Sequence, residues 1–127
     1  MELTESLSDF LSFHPYYAWN VPGVDRARYE SQLDEAVEFA RHAGKELLAS
    51  ETVWGAVDDD QRVKVLRYTL EQLCMREIGF AVHALQHSLV ADLHFPAYGP
   101  IRNPESMHFV NPDGSLRHGH EAFNDFC

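Results

Sequence analysis

Four of the eight histidines fall into two pairs with the spacing of metal ligands. His83 and His87 stand four residues apart, so on a helix their ring nitrogens converge over one turn. His118 and His120 lie in the string Arg117-His118-Gly119-His120-Glu121, and in an extended strand they point to one side. If the end of the chain folds back over the helix, four nitrogens can hold a divalent transition metal: zinc, or copper, nickel or iron with a position left open for substrate. Glu121 or Glu77 would then supply a general base. The HExxH pattern is absent, since Ala84, Leu85 and Gln86 separate the first pair. The simpler reading makes both residues polar groups on a partly wet flank.

Other chemistries find less support. There is no Gly-rich phosphate loop, no GxSxG elbow and no CxxC pair. Cys74 shares the apolar stripe of its helix, which makes a buried, inert thiol. Glu38 and His42 are also four apart, but opposite the apolar stripe and therefore solvated. Paired carboxylates for glycoside hydrolysis cannot be argued, because the acids cluster on helix surfaces that face solvent.

Charge and aromatic placement point to a contact surface instead. The net charge is −10, which excludes nucleic-acid binding through phosphate neutralisation. Residues 25–60 hold ten acids against four bases, and Asp34, Glu35 and Glu38 lie together on one segment. Tyr16, Tyr17 and Trp19 crowd a loop ahead of Pro22-Gly23, where they either form a recognition patch or fold down as a lid. No run of eighteen apolar residues occurs, so no membrane span is expected. The acidic start MELTESLSDF lacks the basic n-region of a secretory signal, and two isolated cysteines suit a reducing cytoplasm.

The elements that must carry these residues read as helices. Asp58 to Asp92 opens with three aspartates able to cap and to complement a helix dipole, and proline does not interrupt it. Val63, Leu66, Leu70, Leu73, Ala81, Ala84 and Leu85 fall on one stripe at helical period. Glu77 falls there too, unless the chain turns near Gly79 and brings it to the surface. Beyond Gly79 the segment is apolar on all sides, as in a central strut or a homodimer interface. A second long helix is expected over residues 26–49, capped by Asp25, with Tyr29, Leu33, Ala36, Ala40 and Ala43 inward. A short helix ending near Phe13 and a turn around Trp54 complete the set. Residues 93–127 hold four of the six prolines and are expected to wrap the helices, with a hairpin at Asn111-Pro112-Asp113-Gly114.

The resulting expectation is a single mainly α domain over residues 1–127. It is a small helical bundle of two long and two short helices, the long pair antiparallel, with an irregular C-terminal tail. Its leading function is that of a small cytoplasmic protein binding another macromolecule, in a regulatory, inhibitory or immunity-type role. A histidine-ligated metalloprotein and a helical protein holding a small apolar ligand are the alternatives. Tyr16, Trp19, His83 and His87 would line the latter's pocket.

Overall fold

A computed structural model describes residues 8–56, 58–82, 115 and 117–126. The order of elements is β1 (Phe10–Phe13), α1 (Arg26–Ala43), β2 (Glu46–Thr52), α2 (Asp59–Met75) and β3 (Gly79–Val82), followed by a 3-10 turn (His120–Asp125). The three strands form one parallel sheet in the order β1-β2-β3. This is an α/β fold of two consecutive β–α–β crossovers, and it overturns the helical bundle.

Both helices begin where the sequence places their caps. Asp25 accepts from the Arg28 amide and Asp58 from the Gln61 amide, each at 2.8 Å. They end earlier than expected, for a shared reason. Gly44, with φ 66°, closes α1, and its amide and that of Lys45 bond back to Arg41 and Ala40. Glu77 takes the same left-handed turn, φ 56°, after α2, and the Ile78 amide returns to Leu73. Each turn delivers the chain directly into a strand. Residues 46–49 therefore leave the expected second helix, and residues 79–82 leave the expected central one. The rod over residues 58–92 stops at Met75.

Helix periodicity in the apolar residues misled because an apolar run of about four residues is too short for its period to separate strand from helix. Ala81 falls on the helical stripe and Phe80 and Val82 on the other faces, but GFAV is β3, half-buried at Phe80 and Val82. Phe10–Phe13, expected in a short helix, is β1. Residues 1–7, the later half of the expected central helix (83–92), and the tail through its hairpin (93–114) lie outside the described residues.

α1 and α2 cover one face of the sheet. The Tyr68 hydroxyl donates to Glu30 at 2.7 Å, and Arg76 donates to Asp34 at the same distance. These pairs advance together along both helices, so the helices run in the same direction, not antiparallel. Leu11, Leu47 and Ala49 of the sheet meet Leu33, Ala36 and Ala40 of α1 and Leu66, Leu70 and Leu73 of α2. Burying one such leucine stabilises by about 1.5–3 kcal/mol. Residues 117–126 pack on α2: Ala122 is buried in the core, Arg67 meets Asp125 at 2.5 Å, and Arg117 bonds Asp59. Among the described residues no helix is long and apolar enough to cross a membrane.

Candidate functional site

Parallel strands bring their carboxyl ends to one edge of the sheet, where α/β proteins place their ligands. Here β1 leaves through His14-Pro15-Tyr16-Tyr17, and β2 leaves through Val53-Trp54-Gly55-Ala56. The two exits are neighbours because Phe13 pairs with Ala49. Glu51 stands at this edge, on the central strand.

A bulge fixes its direction. Ala49 pairs with Phe80 and Thr52 with Val82, so three steps along β2 match two along β3. The extra residue breaks the alternation of side chains and re-aims those that follow. Strict alternation would place Thr52 with Leu48 and Ser50. Instead Thr52 is fully buried, like Leu47 and Ala49, while Glu51 stays 37% exposed. Val53 follows with φ 78° while almost wholly buried. A β-branched residue there is strained, and such strain concentrates at functional sites.

Three side chains converge on this edge. The Tyr16 phenol donates to Glu51 Oε1. His14 Nδ1 lies 3.9 Å from Glu51 Oε2, with the imidazole more than half exposed. The Thr52 hydroxyl donates to the carbonyl of Pro15 at 2.5 Å, between the two residues that face Glu51. Tyr16 also stands edge-on to Trp54, ring centres 5.8 Å apart. Trp54 donates its indole N–H to Asn20 and Trp19 donates to the Gly55 carbonyl, stitching the β1 loop to the β2 loop. The aromatic loop is thus folded down rather than projecting. His14, Tyr16 and Glu35 line an open groove of about 630 Å³, floored by Phe13, Tyr29 and Phe39.

Behind the edge lies an aromatic cluster. Tyr17, Tyr29 and Tyr68 pack in edge-on and tilted arrangements with centroids 4.9–6.1 Å apart, and the Arg26 guanidinium sits 4.5 Å from the Tyr68 ring centre. Burial pushes the Tyr29 phenol well above its ordinary range, against the opposing pull of Thr52, Arg76 and Thr69. Burial also raises Tyr68, and the Glu30 carboxylate adds to it.

A second polar cluster joins α2 to the C-terminal turn. Arg62 and Arg117 are both buried and share Asp59. Burial opposes the charge of Asp59, but the Arg117 hydrogen bond and charge, with Arg62, hold its carboxyl below the usual range. Burial, then repulsion from Arg117, lowers Arg62, and Asp59 offsets part of this.

The residues singled out in the sequence separate. Tyr16 belongs to the Glu51 edge, Tyr17 to the aromatic cluster, and Trp19 to the loop stitch. Asp34, Glu35 and Glu38 are exposed on α1, but Asp34 is held by Arg76 and Glu38 by Arg41 at 3.2 Å. That row is less bare than its charge count implies. His83 and His87 lie outside the described residues. His118 is exposed, 3.7 Å from Asp60, and the backbone turns at Gly119 (φ 80°) into the 3-10 turn, so the extended His118–His120 geometry is not met. Among the described residues no group of three or more His, Cys, Asp or Glu is placed to hold a metal ion. Cys74 is exposed, not core-facing, and Glu77 is exposed at its turn.

Sequence reasoning missed Glu51, His14 and Thr52. A signal existed in Gly44, which ends one helix just before LLAS and leaves Glu51 at the tip of a strand-length run.

No protein-family model, curated protein or solved structure matches the chain. Fold and site together define a class: a parallel α/β unit with a carboxylate–phenol–imidazole cluster at the carboxyl edge of its central strand.

Proposed function

We propose that this chain carries the reaction centre of a glycoside-cleaving enzyme, with Glu51 as the nucleophile. The observation that carries the reading is the position of Glu51. It sits at the carboxyl end of the central parallel strand, re-aimed by a bulge, with one oxygen fixed by Tyr16 and the other towards His14. Glu51 also lies on a strand, whereas Asp34, Glu35 and Glu38 lie on a helix surface.

Carboxylate nucleophiles serve chiefly glycosyl and phosphoryl transfer. Phosphoryl transfer needs cationic clamps on the transferring group. The described lining of the groove beside His14 and Tyr16 holds neither lysine nor arginine; it offers aromatic rings, the His14 imidazole, the Gln32 amide and the Glu35 carboxylate, and it meets Glu51 only through His14 and Tyr16. Such a lining suits a neutral, polyhydroxylated substrate. Tyr16 orients the carboxylate for attack on the anomeric carbon. His14, on the Oε2 side, is the proton donor to the departing oxygen, the role that a second carboxyl about 5 Å away fills in most retaining enzymes.

The reading is tested with a panel of 2-deoxy-2-fluoroglycosides carrying dinitrophenolate leaving groups, which arrest the reaction at the glycosyl-enzyme stage. Intact-mass measurement is expected to show one added glycosyl group, mapped to Glu51 by peptide sequencing. The adduct is expected to be absent from Glu51→Gln protein with an unchanged circular-dichroism spectrum. Wild-type protein that stays unlabelled across gluco, galacto, manno and xylo probes overturns it.

A further inference from the structure

Thr52 has no exposed surface, so its hydroxyl can contact no substrate. It nonetheless occupies a junction that no other described residue shares. Its backbone continues directly from Glu51. Its Oγ1 donates to the Pro15 carbonyl at 2.5 Å. Pro15 sits between His14 and Tyr16, the two side chains directed at the Glu51 carboxylate. Two successive residues of β2 therefore grip two successive residues of the β1 exit, one grip through a side-chain pair and one through a carbonyl.

We infer that Thr52 is a positioning residue: its hydroxyl latches the β1 exit onto β2 and so sets the reach of Tyr16 and His14 to Glu51. The inference rests on the reading of Glu51 as the reactive group. Three features support a specific hydroxyl rather than a filler. The β2 bulge is what turns Thr52 inward, and without it the residue would share the outward face of Ser50. A carbonyl in the β1 exit is the acceptor, and proline leaves that stretch one amide N–H fewer with which to fix itself. Valine matches threonine in shape but offers no donor, so shape alone cannot replace the latch.

The test uses the Tyr16–Glu51 hydrogen bond itself, which needs no substrate. Protein with tyrosine labelled at Cζ with carbon-13 reports that bond through the Tyr16 resonance, assigned with Tyr16→Phe, and Glu51→Ala, which removes the acceptor, gives the position of the broken state. In Thr52→Val and Thr52→Ala the Tyr16 resonance is expected to move to the Glu51→Ala position. Thr52→Ser, which keeps the donor, is expected to hold it at the wild-type position. Labelling of Glu51 by the fluoroglycoside is expected to slow by about tenfold to a hundredfold in Thr52→Val and to recover in Thr52→Ser. A wild-type Tyr16 resonance in folded Thr52→Val protein overturns the inference. So does failure of both Thr52→Val and Thr52→Ala to fold, since Thr52 would then support the whole fold rather than this edge. Absence of labelling in wild-type protein is a separate outcome: it removes the glycosidase reading while the resonance experiment still decides the latch.

Discussion

At the scale of single residues, the site edge and the core behind it use similar groups for different ends. Tyr16 is half-buried and its hydroxyl serves a carboxylate at the surface. Tyr29 and Tyr68 are buried, and burial is the main reason that both phenols are held above the ordinary value of 10.0. The sign of the linkage follows. The unfolded chain gives up these protons near pH 10.0, whereas the folded chain keeps them, so the stability they contribute is complete below that value. It declines as the pH rises above it towards the folded-state values. Alkaline titration followed through the phenolate absorbance should therefore withhold the increments of two tyrosines at about pH 11, releasing them only as the fold opens. Tyr29→Phe and Tyr68→Phe should each remove one increment from that late step. If every increment instead appears near pH 10 in protein that is still folded, the burial described for these two rings is wrong.

At the scale of elements, what matters most is how each helix is stopped and how the end of the chain is attached. Gly44 and Gly119 both have left-handed backbones, φ 66° and 80°, which glycine alone adopts without strain. Their surroundings differ. A Cβ on Gly44 would meet nothing within 4 Å, whereas one on Gly119 would collide with the Val63 side chain of α2. Gly44→Ala should thus cost only the backbone term, about 1 kcal/mol. Gly119→Ala should add an overpacking cost of about 1–3 kcal/mol by forcing the C-terminal turn off α2. Chemical denaturation of both variants checks the order. Equal losses would mean that residues 117–126 do not sit on α2 as described. These stops also explain what the sequence left legible. Asp25 and Asp58 announce helix starts because capping is local chemistry. Gly44 announced a stop equally well, but the apolar residues after it continued a helical stripe and hid the change of element. Glu77 carried no such mark, since a left-handed glutamate is fixed by its surroundings and not by its own preference.

At the scale of the whole molecule, the sheet rather than any helix is the organising element, and its pairings are all non-local. β1 meets β2 across α1, and β2 meets β3 across α2. Such partners are invisible to any window of neighbouring residues, which is why helix caps and the inward face of α1 were readable while β1, β2 and β3 were not. The same fact hid the site: Glu51 lies 35 residues from Tyr16 and 37 from His14 in sequence and meets them only because two parallel strands end side by side. Hydrogen exchange discriminates between the two architectures. In the parallel sheet β2 is bonded on both sides, so amides within Leu47–Ala49 should exchange with protection near that of global unfolding, at least matching the middle of α2. In a helical bundle residues 46–49 would be the fraying last turn of α1 and would exchange early. Slow exchange at Leu47–Ala49 together with early exchange at the Gly44 turn marks β2 as a separate, central strand. Fast exchange throughout 44–52 would remove the sheet, and with it the edge on which Glu51, Tyr16 and His14 are brought together.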